Sequence, residues 1–115
     1  MINYPLEHQE QRDFVEYLNL KNIKHTSIPN ATFTKSWSQK FKNKAEGLNP
    51  GLPDLLICLP DRLLFVEMKR VKGGVISSFQ KSWLEALNKY DGVEAIVCFG
   101  CQIAIDEVEK RLKKK

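Results

Sequence analysis

Between Gly51 and Arg70 the chain reads GLPDLLICLPDRLLFVEMKR, two apolar runs, Leu55–Leu59 and Leu63–Val66, parted by Pro60-Asp61-Arg62. Runs this short, with turn-forming residues between them, suit the two buried strands of a hairpin better than helices. The hairpin constrains the rest of the chain because its open end is charged. Asp54 opens the first run, and Glu67 with Lys69 closes the second. Side chains alternate along a strand, so Glu67 and Lys69 share a face and Met68 takes the other. With a two-residue loop at Pro60-Asp61, Asp54 falls opposite Glu67, on the same face and about 5 Å away. A register one residue longer puts them on opposite faces.

Two carboxylates this close, at the end of a buried sheet, repel each other and lose hydration. A divalent cation relieves both costs. Oxygen-only ligands fit magnesium or manganese better than zinc. Lys69 is placed to orient a water or to stabilise charge on a phosphate. A plainer reading also fits: Glu67 and Lys69 as an ion pair at the sheet rim, with Asp54 capping a turn.

A chain of 115 residues forms one domain, residues 1–115, with a single core. No apolar run approaches a membrane span and Met1–Leu6 is no signal peptide, so a soluble, cytoplasmic protein without a membrane partner is expected. Eighteen basic against fourteen acidic side chains give a net charge of +4, which permits a polyanionic partner without requiring one. The odd number of cysteines, Cys58, Cys98 and Cys101, in or beside apolar strands suits reduced, buried thiols. Cys98 and Cys101 have C-x-x-C spacing, but a zinc site needs two more ligands, and only Cys58, His8 and His25 are on offer.

Residues 6 to 20 read as a first helix with Gln11, Phe14, Val15 and Leu18 inward. Glu7 continues that stripe one turn earlier, whereas Glu10 is read as lying off it. An inward acid at a helix N-terminus either complements the helix dipole or reaches a metal. A strand follows near His25–Ile28. From Thr34 to Gly51 the chain turns polar, with Lys35, Lys40, Lys42 and Lys44 around Trp37 and Phe41, a mixture suited to phosphate contact and base stacking or to a solvated, anchored loop. Arg70 and Lys72, just past the hairpin, join these lysines as candidate nucleic-acid contacts. Ser77 and Gln80 form a capping box opening a helix that turns Phe79, Trp83, Ala86, Leu87 and Tyr90 inward. Val93–Phe99 is an apolar strand broken only by Glu94. A last helix over residues 102–112 presents Ile105, Val108 and Leu112.

The resulting α-β-β-β-α-β-α order predicts an α/β fold, a central mixed sheet flanked by helices. That order, with Pro53-Asp54 and Glu67-Met68-Lys69 on neighbouring strands, resembles the PD-(D/E)XK nuclease superfamily, which has a restriction-endonuclease-like fold. Closer still is its VRR-NUC branch. Glu7-x-x-x-Gln11, Gly51-Leu-Pro-Asp54, Glu67-x-Lys69, Gly74-Val-Ile-Ser77-x-x-Gln80 with Trp83, and the segment Gly100 to Ile105 match in order over nearly the whole chain. The resemblance implies magnesium-dependent endonucleolytic hydrolysis of DNA, with manganese as a substitute. It implies Asp54, Glu67 and the Met68 carbonyl as metal ligands, Glu7 through water, Lys69 positioning the attacking water, and Gln80 ordering Lys69 or the phosphate. It further implies a phage or bacterial domain acting as a homodimer on branched DNA such as Holliday junctions. The competing reading from another class is a non-catalytic basic DNA-binding module with a structural acidic cluster.

Overall fold

The computed structural model describes residues 3–29 and 44–113. Its elements are α1 (Glu7–Leu20), β1 (His25–Ser27), β2 (Leu55–Leu59), β3 (Arg62–Lys69), α2 (Ser78–Leu87), β4 (Val93–Phe99) and α3 (Cys101–Leu112). This is the expected order. Lys35, Trp37, Lys40, Phe41 and Lys42 lie outside the described residues, and of that polar segment's lysines only Lys44 is described, as exposed.

Pro60 and Asp61 alone separate β2 from β3. Leu59 pairs with Arg62 and Leu55 with Val66, and one further step of the same ladder sets Asp54 against Glu67. Proline's fixed φ suits a tight reversal, and Arg62 closes the turn on the Asp61 carboxylate at 2.9 Å. β1 joins β2 antiparallel and β4 joins β3 parallel, giving a mixed sheet in the order β1-β2-β3-β4. A parallel pair needs a long crossover, which α2 supplies.

Alternation then divides the sheet into two unlike faces. Leu55, Ile57, Leu64, Val66, Met68 and Cys98 are fully buried with Phe14 and Leu18 of α1 and Ala104 and Val108 of α3. The opposite face carries Phe65, Glu67 and Lys69 and is met by α2. Its C-cap Asn88 uses its side-chain amide to bond both the N–H and the C=O of Ala95, at 2.8 and 2.9 Å. This occupies backbone groups that the edge strand β4 otherwise leaves open. Glu94, the acid in an apolar strand, is held by Arg111 of α3 and Arg62 of β3. Those hydrogen bonds, Arg111's first, push its pKa down to about 2.

Several expected faces are rotated. In α1 the buried ridge is Glu10, Phe14 and Leu18, at i, i+4 spacing, so Glu10 faces inward rather than lying off the stripe. Its Oε1 accepts the Cys101 N–H at 3.0 Å, an anion on the N-terminus of α3. In α2 the half-buried side chains are Gln80, Trp83, Leu84 and Leu87, about one residue round from the expected stripe, which leaves Phe79, Ala86 and Tyr90 exposed. The Trp83 Nε1–H donates to the Pro50 carbonyl at 3.1 Å and sets that rotation. Leu112, past the end of the core, is 38% exposed, and Cys58 is an exposed thiol on the less covered face.

Because Glu10 is buried and joins two helices 91 positions apart, its loss reaches beyond a local cap. Glu10→Ala is expected to lower stability by about 1–2 kcal/mol, the range for an N-cap or charge-assisted hydrogen bond. Urea denaturation reads this directly, and a loss below about 0.5 kcal/mol, as at an ordinary surface site, would refute it.

Candidate active site

The charged end of the hairpin meets the first turn of α1. Asp54 sits one residue before β2, where its carbonyl accepts the Ile28 N–H at 2.7 Å and its Oδ2 accepts the Met68 N–H at 2.8 Å. Backbone and side chain are therefore held separately, by different segments. Glu67, in β3, is 2% exposed. Its Oε2 accepts from Gln80 Nε2 at 2.9 Å and lies 3.6 Å from Lys69 Nζ. Its Oε1 is buried with no hydrogen-bond partner. Glu7 approaches from α1, 4.0 Å from Lys69 Nζ. One carboxylate oxygen each from Glu7, Asp54 and Glu67 lies within 4.8 Å of the others, the one such metal-competent group among the described residues.

Burial is the main reason all three acids hold protons more tightly than usual. Glu67 is pushed up to about 8, first by desolvation and then by the Asp54 charge, against the pull of Lys69. Asp54 is raised by desolvation although the Met68 N–H favours its anion. Glu7 is raised by desolvation, partly offset by Lys69. Like charges in a dry site cannot all ionise without a compensating cation. Lys69 provides one positive charge, at ion-pair distances rather than in tight hydrogen bonds.

That arrangement fits a hard divalent ion. The donor set is all oxygen, as magnesium and manganese prefer. Glu67 Oε1 is buried with no fixed donor, and what faces it is the Asp54 carboxyl with which Glu67 shares a hydrogen bond, so an ion would replace that proton. Three oxygens within 4.8 Å of one another are near enough for modest side-chain shifts to bring them onto one ion, and a water between Glu7 and the ion would ease the reach from α1.

Gln80 and Gly74 complete the setting. The Gln80 Oε1 accepts the Ser77 N–H at 2.9 Å while its Nε2 donates to Glu67. The capping box and the carboxylate contact are two ends of one amide, and a backbone donor at one end and a carboxylate at the other fix its orientation. The resemblance assigned Gln80 to Lys69 or the phosphate; its contact here is with Glu67. Gly74 lies against Lys69, where an added Cβ would stand 2.9 Å from Lys69 Cβ and 3.2 Å from the Arg70 carbonyl oxygen. The turn after β3 thus folds down on the lysine's stem.

Of the candidate nucleic-acid contacts, Lys72 is exposed with its ammonium 6.0 Å from the Tyr4 ring centroid, and Arg70 donates weakly to the Tyr4 carbonyl at 3.5 Å. Both follow Lys69 closely in sequence. Glu10 is engaged at Cys101, which leaves Glu7 as the α1 acid at the cluster. Sequence reasoning missed the Glu10 cap and the Met68 N–H on Asp54. The i, i+4 spacing of Glu10 from Phe14 signalled the first, and nothing local signalled the second. Burial raises the thiols of Cys98, to about 12, and Cys101, which keeps both protonated.

Since Glu67 is raised from 4.5 to about 8, the folded chain binds its proton more tightly than the unfolded chain does. Its favourable contribution is complete below about pH 4.5 and is lost as pH rises through about 8. In EDTA the melting temperature should therefore fall from pH 5 to 8.5, and Glu67→Gln should flatten that slope. An equal slope in both proteins would contradict the assignment.

Comparison with known proteins bears on the fold and the family. The VRR-NUC domain profile matches residues 2–102. A solved structure of a VRR_NUC domain protein aligns with a TM-score of 0.79 over 96% of this chain and 91% of that one, at 22% identity, a likeness of fold. Among curated proteins none matches significantly. With a four-stranded mixed sheet between helices in the restriction-endonuclease-like manner, the chain belongs to the VRR-NUC family of nuclease domains.

Proposed function

We propose that this domain is a magnesium-dependent, structure-selective DNA endonuclease, with Asp54, Glu67 and the Met68 carbonyl holding the ion and Glu7 reaching it through water. The observation that carries the reading is Glu67, buried beside two other acids and sharing a hydrogen bond with Asp54 that only a proton or a cation can bridge. A bound magnesium or manganese ion would polarise the phosphate and acidify water. Lys69, held between Glu67 and Glu7, orients the attacking water and offsets charge developing on the phosphate. Gln80 keeps the Glu67 carboxylate turned so that Oε1 faces Asp54. Lys44, Arg70 and Lys72, with Lys35, Lys40 and Lys42, track the DNA backbone. Preference for branched DNA such as four-way junctions, and a homodimer whose two-fold axis would pair two nicks, extend the reading from the family resemblance.

The decisive assay is incubation with magnesium and end-labelled linear, flapped and four-way DNAs. Asp54→Asn and Lys69→Ala should each lower cleavage by at least about 10²-fold while folding and most DNA binding persist. Binding by the unaltered protein without metal-dependent cleavage would instead identify a non-catalytic DNA-binding module. A second measurement concerns the ion alone. Magnesium must displace the proton on Glu67, so its stabilisation of the unaltered protein should be larger at pH 8.5 than at pH 6, and absent in Asp54→Asn. A metal shift independent of pH would count against Glu67 as ligand.

A further inference from the structure

Beside the acidic cluster opens a cleft of about 310 Å³, at the small end of the range for ligand sites. Lys69 and Gln80 line it together with Val75, Phe79 and the Pro50-Gly51 turn. Phe79 and Val75 are 60% and 77% exposed. Single exposed apolar residues are ordinary on a protein surface. Phe79 differs in how firmly it is held. Gly51, at φ +102°, comes so close that an added Cβ would stand 2.6 Å from the Phe79 carbonyl carbon and 2.8 Å from its Cβ. Trp83 pins the adjoining Pro50 carbonyl, and the Ser77–Gln80 capping box fixes the turn that leads into Phe79. The ring is thus presented from an anchored backbone at the rim of a cleft that contains the lysine.

We infer that Phe79 is the stacking platform of a nucleobase subsite, which takes an unpaired base next to the phosphate that meets Lys69 at the acidic cluster. This rests on the nuclease reading and names the substrate feature that the site selects. One cleft is lined by both a lysine ammonium and an aromatic ring, the two groups that a nucleotide's phosphate and base would engage. A base within a duplex has both faces covered by its neighbours, so only an unpaired or turned-out base can lie on the ring. Flaps and branch points supply such bases cheaply, whereas plain duplex must be unstacked first. Stacking is nearly indifferent to base identity, so the subsite selects DNA structure rather than sequence.

The test places 2-aminopurine at each nucleotide around the branch point of a flapped DNA in turn, with Asp54→Asn protein so that nothing is cut. At one position fluorescence should fall on binding. Adding Phe79→Ala should restore it and weaken binding of the flapped DNA by roughly 5- to 150-fold, the range for loss of one aromatic–base stack. Phe79→Trp should keep both signals, and affinity for plain duplex should not change. An abasic residue at that position should cost the Phe79-containing protein the same factor and cost Phe79→Ala nothing further. The inference is overturned if the Phe79→Ala and abasic losses multiply, if Phe79→Ala weakens duplex and flap alike, or if it moves neither fluorescence nor affinity. The nuclease reading fails separately. A Phe79-dependent signal in a protein that cuts no DNA leaves the base subsite standing, and metal-dependent cleavage without that signal removes the subsite alone.

Discussion

The burial of Glu67 opposite Asp54 is the constraint on which the site depends. A carboxyl group only 2% exposed is costly to ionise, so Glu67 keeps its proton, in a hydrogen bond with Asp54, well above the usual carboxylate range. The sheet tolerates it because neighbouring groups are arranged to hold it. The Met68 N–H satisfies Asp54, Gln80 and Lys69 face one oxygen of Glu67, and the second oxygen is left toward Asp54 and Glu7. Apolar side chains there would serve stability better, and a cluster held at such a cost is the pattern expected of a working site.

The two helices nearest the cluster are oriented by polar contacts as well as by their apolar side chains. Glu10 ties α1 to the start of α3, and the same inward ridge then brings Glu7, three residues earlier, over the sheet end. In α2 the Trp83–Pro50 bond and the Asn88–Ala95 pair fix the rotation that turns Gln80 toward Glu67 and Phe79 outward. Each interaction is worth about a kilocalorie per mole in stability. Their larger effect is geometric, because they decide which side chains meet at the cluster.

Much of this was legible in the chain. The Pro60-Asp61 turn and the two short apolar runs implied the register that aligns Asp54 with Glu67, because a period of two leaves few alternatives once one face is apolar. The element order and the capping box at Ser77 were equally readable from local chemistry. The helix faces were not. Periodicity placed Glu10 outside and Phe79 inside, and both are reversed, since polar partners far away in sequence overrode a weak apolar preference. The exposed Cys58 follows from the uneven cover of the two sheet faces, which no local pattern records.

The sequence by itself determined the hairpin, the mixed α/β order and the residue types at the charged end, because turn chemistry and strand alternation act over a few neighbouring residues. Only packing between distant segments turns Glu10 inward onto Cys101, sets Gln80 against Glu67 and stands Phe79 at the cleft rim. Those outcomes depend on how helices rotate and dock against the sheet. That rotation is set by contacts between segments tens of residues apart, whose energies become available only once the chain has folded.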